Sequence, residues 1–324
     1  MFLNWKTFTL ALATYMCSFV ATSAKGTNSG LSGAGLYGIS FTPYTSSGTC
    51  MSQDEVTKSL QRIKKMGFDL VRVYSTDCNS LERIGSACKE LDINVILGVF
   101  IGSSGTSGAQ EQVQAISHWA QWPMVKLIVV GNEAIQSGCT SASKLSSFIS
   151  SARRTFRAAG YSGNVTTSEP LAIWKKHGVS TLLCSQVDIV GANVHPFFNA
   201  KFTPAQAGVF ARYEYSELAR ICKKPVLILE TGWPNAGDAN GLAVPGVAEQ
   251  KTAITAIAKN MGPKSVFFSY SDDPWKPPGE FNEGQHWGCR SVFSSRRPSL
   301  MELVGSTLFN LYKRIQGVYP FANL

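Results

Sequence analysis

Two short apolar runs in this 324-residue sequence each end in a glutamate. One reads Leu127-Ile128-Val129-Val130-Gly131-Asn132-Glu133, the other Val226-Leu227-Ile228-Leu229-Glu230-Thr231-Gly232-Trp233-Pro234. Paired carboxylates facing one cleft are what glycoside hydrolysis requires. One protonates the leaving oxygen, and the other attacks the anomeric carbon or activates water against it. A carboxylate half-desolvated at a strand end is costly unless something uses it. Taken singly, either glutamate also fits a plainer role, capping the next helix or pairing with an arginine such as Arg72. Matched positions at two strand ends favour chemistry. Beside them, Gly131 allows close backbone approach, Asn132 can donate to a sugar hydroxyl, and Trp233 offers an apolar face to a pyranose ring.

The elements that must position these groups are read from hydrophobic patterning. Strand-like runs start near Gly35, Leu70, Ile93, Lys126, Val165, Val187, Pro225 and Ser265. They are near-continuously apolar, as parallel strands buried on both faces are. Their mean spacing of roughly 33 residues is the length of one β/α unit. Between them lie helical patterns. Ser52-Gln53-Asp54-Glu55 is a capping box, followed by Val56, Leu60, Ile63 and Met66 at helical spacing and Gly67 as terminator. Leu81, Ile84, Cys88 and Leu91 form a second stripe. Leu145, Phe148, Ile149, Ala152 and Phe156 run to Gly160, and Ile254, Ile257 and Met261 run to Gly262. The alternation predicts an α/β fold of one domain, a single (β/α)8 TIM barrel. A doubly wound open sheet is the second choice, weakened because no G-x-G-x-x-G follows the first strand.

In such a barrel, side chains at the C-terminal strand ends converge on one mouth. Glu133 closes strand four and Glu230 strand seven, 97 residues or three β/α units apart. The other strand ends carry Tyr44, then Tyr74 with Asp77, Glu169, and His195 with Phe197 and Phe198. Tyr270, Asp272, Asp273, Trp275 and Lys276 follow strand eight, with Trp287 beyond. Ring platforms amid polar side chains suit a carbohydrate. His118, His177 and His286 show no ligand spacing with His195, so neither metal nor cofactor is expected, and Asp272-Asp273 reads as solvated or paired to Lys276.

Composition sets the context. The formal charge is +9, from 30 basic and 21 acidic residues, yet only 16% of residues are charged. That excludes a disordered chain. Lys223-Lys224, Arg153-Arg154 and Arg296-Arg297 are pairs rather than a basic face, so nucleic acid is not an expected partner. Residues 1–24 read as a secretory signal ending in Thr22-Ser23-Ala24. The expected layout is then a linker over 25–34, the barrel over 35–295 and a segment over 296–324 packing outside it. Cleavage leaves Cys50, Cys78, Cys88, Cys139, Cys184, Cys222 and Cys289, enough for up to three disulfides of undetermined pairing. Asn164-Val165-Thr166 is a glycosylation sequon. The expectation is a secreted, extracellular or wall-associated monomer with no membrane partner after cleavage.

From about Gly35 to Phe293 the sequence resembles the secreted fungal β-1,3-glucanases and glucanosyltransferases of glycoside hydrolase family 17. The likeness is carried by Gly38-Ile39 with Pro43-Tyr44, Arg72-Val73-Tyr74 with Asp77-Cys78, and Val130-Gly131-Asn132-Glu133. It continues through Thr166 to Pro170, Gly191 to Phe198, and Glu230-Thr231-Gly232-Trp233-Pro234. The resemblance implies a retaining mechanism with Glu133 as acid/base and Glu230 as nucleophile, their carboxyl groups about 5–5.5 Å apart. It implies that Asn132 binds the 2-hydroxyl at the cleavage point, and that Tyr74, Asp77, His195, Trp233, Trp275 and Lys276 line the subsites; Tyr44, Phe198 and Tyr270 are added to these as substrate contacts. Where the family usually has Asp-Glu before Pro-Trp-Lys, this chain has Asp272-Asp273, one methylene shorter. The expected function is hydrolysis of β-1,3-glucan. The alternatives are a glucanosyltransferase using the same glutamates, and, ranked below it, a non-catalytic glucan-binding protein of the cell wall.

Overall fold

A computed structural model describes residues 31–35 and 37–293 of the chain. The eight apolar runs are eight parallel strands: β1 (Gly38–Ser40), β2 (Leu70–Arg72), β3 (Asn94–Val99), β4 (Val125–Asn132), β5 (Asn164–Ser168), β6 (Val190–Asn193), β7 (Val226–Thr231) and β8 (Ser265–Phe267). Each pairs with the next, and β8 pairs with β1 through Gly38 opposite Val266, closing the barrel. The open-sheet alternative is thereby excluded. Helices α1 (Gln53–Lys65), α2 (Ser80–Leu91), α3 (Gln110–Trp119), α4 (Ala142–Ala158), α5 (Val179–Cys184), α6 (Ala207–Cys222) and α7 (Val247–Met261) lie between strands.

Local chemistry sets these boundaries. The Ser52–Glu55 capping box forms at the start of α1, satisfying two backbone donors that the first turn leaves without partners. Gly67 and Gly160, at positive φ of 97° and 92°, follow α1 and α4 where a left-handed residue is needed. The strands bury two apolar faces. Leu70, Ile96, Leu127, Val129, Leu227, Leu229 and Val266 fill the barrel interior, while Val71, Val95, Ile128, Val130 and Ile228 join the larger layer beneath the helices. This two-residue alternation puts Arg72 on the face of Leu70, so its side chain rises inside the barrel.

Register shifts interrupt the ladder where the site is built. β4 slips against β5 between Val129 and Asn132, β6 against β7 between Ala192 and Asn193, and β7 against β8 between Ile228 and Thr231. Such bulges bend a strand end and re-aim its side chains.

Leu31 and Gly33, expected to be linker, are tied to the barrel. The Leu31 N–H donates to the Val292 carbonyl at 3.0 Å and the Gly33 N–H to that of Met66 at 2.7 Å. The expected signal, residues 25–30 and the 296–324 segment lie outside the described residues. Two disulfides form, Cys50–Cys78 and Cys184–Cys222. Cys88, Cys139 and Cys289 remain thiols, so the limit of three pairs is not reached among the described residues. Among those residues no helix is long and apolar enough to cross a membrane.

Candidate active site

The end of β4 turns sharply to present Glu133. Gly131 and Glu133 both have positive φ, 87° and 50°. Glycine accepts this freely, but a side-chain-bearing residue held there costs on the order of 1–2 kcal/mol. The surroundings impose it: the Glu133 N–H donates to the Ser168 carbonyl at 2.7 Å, and the Glu133 carbonyl accepts from Ser137 N–H at 2.8 Å. Strain retained this way clusters at functional positions. Glu169 supports the same turn from β5. Fully buried, its carboxyl accepts from the backbone N–H groups of Ile135 (2.7 Å) and Gln136 (3.2 Å). Burial pushes its pKa up to about 7 despite those bonds.

Glu230 is placed by β7 opposite Asn193 of β6. Arg72, 1% exposed, reaches across the barrel, with Nη1 3.0 Å from Glu230 Oε1 and 2.7 Å from the Leu229 carbonyl. His195 Nε2 lies 3.2 Å from Glu230 Oε2. An ionised carboxylate only accepts, so Nε2 carries the proton in this contact. Tyr74 packs beneath the Arg72 guanidinium, its hydroxyl facing Glu230 without forming a well-aligned hydrogen bond.

Asn193 joins the two glutamates. Its Nδ2 donates to Glu133 Oε1 at 2.9 Å and to Asn132 Oδ1 at 3.1 Å, while its Oδ1 accepts from Ser168 Oγ at 2.6 Å and from Arg72 Nη1 at 3.4 Å. Arg72 Nη2 also donates to Asn132 Oδ1, at 2.7 Å. With its oxygen occupied twice, the Asn132 amide is fixed with its N–H groups left for a ligand.

This network splits the acidities of the pair. Burial and the Glu230 charge raise Glu133 above the ordinary carboxyl range, outweighing the Asn193 hydrogen bond. Burial would raise Glu230 as well, but the His195 hydrogen bond and the Arg72 charge overcome it and hold that carboxyl low. One group stays protonated where the other is ionised, the pattern of an acid beside a nucleophile.

Two cavities meet at Glu230, Phe268 and Lys276. The first, of about 830 Å³, is lined by Tyr44, Tyr74, Asp77, Phe100, Asn132 and Trp275 among others. There the Tyr44 hydroxyl donates to Asp77, and the Trp275 ring meets Tyr44 edge-on at 4.9 Å. The second, of about 620 Å³, is lined by Glu133, Gln136, His195, Phe198, Glu214 and Trp287 among others. Lys276 is held by Asp273 at 2.7 Å, so the shorter side chain still reaches it. Asp272 accepts instead from Gly288 N–H and Asn235.

Two expected substrate contacts do not reach the cleft. Trp233 is fully buried, its Nε1 donating to the Val244 carbonyl at 2.9 Å and its ring edge-on to Phe197. The chain turns after Thr231, which sends the indole into packing behind the barrel rather than over its mouth. Tyr270, 2% exposed, packs against Phe41 and lines neither cavity. Asn193 and Glu214 are the residues the sequence reading missed. The strand-end rule that picked out Glu230 would have found Asn193, whereas Glu214 sits mid-helix and has no such mark.

A family model described as the BtgE/BtgC glycoside hydrolase domain matches residues 38–288. A relative named probable beta-glucosidase btgE from Aspergillus flavus is 56% identical over 256 residues, covering 79% of this chain and 42% of its own length. Its counterpart in Aspergillus fumigatus is 56% identical over 262 residues, covering 81% and 46%. The chain thus spans less than half the length of these curated relatives. Among solved structures, the family 17 β-1,3-glucanosyltransferase from Rhizomucor miehei superposes with a TM-score of 0.69 at 21% identity, covering 78% of this chain and 92% of that one. An endo-laminarinase from Formosa superposes at 0.67 and 17% identity, covering 78% and 82%. At such identities the structural likeness shows the fold.

Proposed function

Because the chain belongs to the family of BtgE/BtgC glycoside hydrolase domains, we propose that it cleaves β-1,3-glucan outside the cell with retention of anomeric configuration. Glu230 attacks the anomeric carbon as the glycosidic C–O bond breaks, and Glu133 gives its proton to the departing oxygen. Glu133, now a carboxylate, takes a proton from water; that water attacks the same carbon and frees Glu230. Asn132 holds the 2-hydroxyl of the sugar undergoing cleavage.

The observation that carries this reading is the opposite shift of two carboxyls joined through Asn193 and Arg72 in one cleft. It also orients the substrate. A general acid must lie beside the leaving oxygen, and Glu133 lines the second cavity, whereas Asn132 lines the first. The glycone therefore occupies the cavity of Tyr44, Asp77 and Trp275, and the leaving group that of His195 and Phe198.

A glucanosyltransferase uses the same intermediate but has a second glucan chain intercept it. A formed leaving-group cavity with Phe198 half-exposed at its wall favours this as the second reading. Linear β-1,3-glucan oligosaccharides of defined length separate the two: only shorter products mean hydrolysis, and products longer than the donor mean transfer. No change in the donor at all would overturn both.

A further inference from the structure

The leaving-group cavity contains a carboxyl that the two-step reaction does not use. Glu214, on α6, lines it together with Gln136 and Phe198. Among the described residues no group donates a hydrogen bond to the Glu214 carboxyl, and the neighbouring Lys175 is bound to Glu217 at 2.8 Å. Burial pushes the Glu214 pKa up to about 7, the mark of a carboxyl withdrawn from water without full compensation. The Gln136 side chain faces the same space, its backbone held by Glu169. Phe198, 51% exposed, supplies an apolar ring there.

We propose that Glu214 is a specificity residue for the sugar on the leaving-group side of the scissile bond, accepting hydrogen bonds from neighbouring ring hydroxyls of a glucose unit that lies against Phe198. This rests on the assignment of the two cavities given above. Hydroxyl donors supplied by a sugar favour the ionised form of this carboxyl, and the carboxylate so formed is an acceptor with two oxygens, matched to a pair of adjacent hydroxyls. A partly buried polar group without partners is costly, and a ligand that supplies them is preferred over one that cannot. A sugar leaving group satisfies Glu214; an aromatic leaving group without hydroxyls does not.

The test compares kcat/KM for laminaritetraose with that for an aryl β-glycoside of laminaribiose in the full chain and in Glu214→Ala and Glu214→Gln. The expected result is a fall of about tenfold or more in the ratio of the oligosaccharide value to the aryl value for Glu214→Ala, the size set by loss of charge-assisted hydrogen bonds. Glu214→Gln, which keeps one accepting oxygen, falls between. A ratio within about twofold of the parent's in both variants overturns the proposal, whether both activities persist or both decline together as a folding defect would make them. If the unaltered chain cleaves neither substrate, the parent reading fails and this one fails with it.

Discussion

Arg72 Nη1 and Glu230 Oε1 form an ion pair of 3.0 Å inside the barrel, with the arginine side chain 1% and the glutamate side chain 7% exposed. Removing one member of a buried pair leaves an uncompensated charge, which typically costs about 3–5 kcal/mol. Arg72→Met is therefore expected to lower unfolding stability by about that much and to raise the pKa of Glu230 towards the carboxyl's ordinary range or above it. Chemical denaturation reads the first effect, and the acidic limb of the rate profile reads the second. An unchanged denaturation midpoint would show that the pair does not matter to the fold.

Replacing Glu230 with Gln removes the proposed nucleophile but keeps an oxygen for the Arg72 contact. Turnover on laminarin is expected to fall by at least about a thousandfold, as with other nucleophile deletions, while glucan binding in a pull-down persists. Full residual activity would end the assignment of Glu230 as nucleophile.

The direction of the two shifts fixes the shape of the pH profile. The proposed reaction requires Glu230 ionised and Glu133 protonated. Glu230 is held low, so the acidic limb lies below the usual glutamate value of about 4.3. Glu133 is raised, so the alkaline limb lies above it. Glu133→Gln is expected to remove the alkaline limb for an aryl substrate whose leaving group needs no proton. Such a substrate, with added azide, should give a β-glycosyl azide. An alkaline limb that survives in Glu133→Gln would assign it to another group.

Much of this arrangement is legible in the sequence because a parallel barrel imposes its own period. Fully buried strands leave unbroken apolar runs, and α1 and α4 carry their termination signals in Gly67 and Gly160. Glu133 and Glu230 stand out as charges at the ends of such runs. What the sequence hides is direction. Trp233 and Tyr270 follow strand ends as Trp275 does, yet the chain after β7 and β8 turns them into the packing. Bulges compound this, because a register slip changes which face a residue takes without changing any residue. Glu214 is hidden for another reason, since only the folding of α6 against the mouth of the barrel makes a helical glutamate part of a cavity.

Glu169 makes stability depend on pH. Its folded pKa of about 7 stands above the 4.5 of an unperturbed glutamate, so the folded state binds its proton more tightly than the unfolded chain does. Stability from this group is fully present below about pH 4.5 and is lost as pH rises through 7. The loss is on the order of 3 kcal/mol. Thermal midpoints of the parent chain should decline from pH 5 to pH 8, with Glu214 contributing in the same direction. Glu169→Gln, which cannot ionise, should flatten that slope while lowering the midpoint at pH 5, since it keeps one of the two backbone contacts beneath Glu133. An identical slope in both proteins would remove Glu169 as its source.

The two disulfides should separate stability from substrate binding. In the loop-closure estimate, links spanning 28 and 38 residues each contribute about 3–4 kcal/mol. Their positions differ. Cys78 follows Asp77, whose carboxylate accepts from Tyr44, and Cys50 pairs with Tyr44 across a short bridge, so this link braces one wall of the cavity proposed for the glycone. Cys184–Cys222 joins the ends of α5 and α6 away from that wall. Serine pairs at 50 and 78 are expected to raise KM for oligosaccharides several-fold, whereas serine pairs at 184 and 222 lower the thermal midpoint with little change in KM. Equal effects of the two pairs on KM would show that the first disulfide holds the fold alone and not the Tyr44–Asp77 contact.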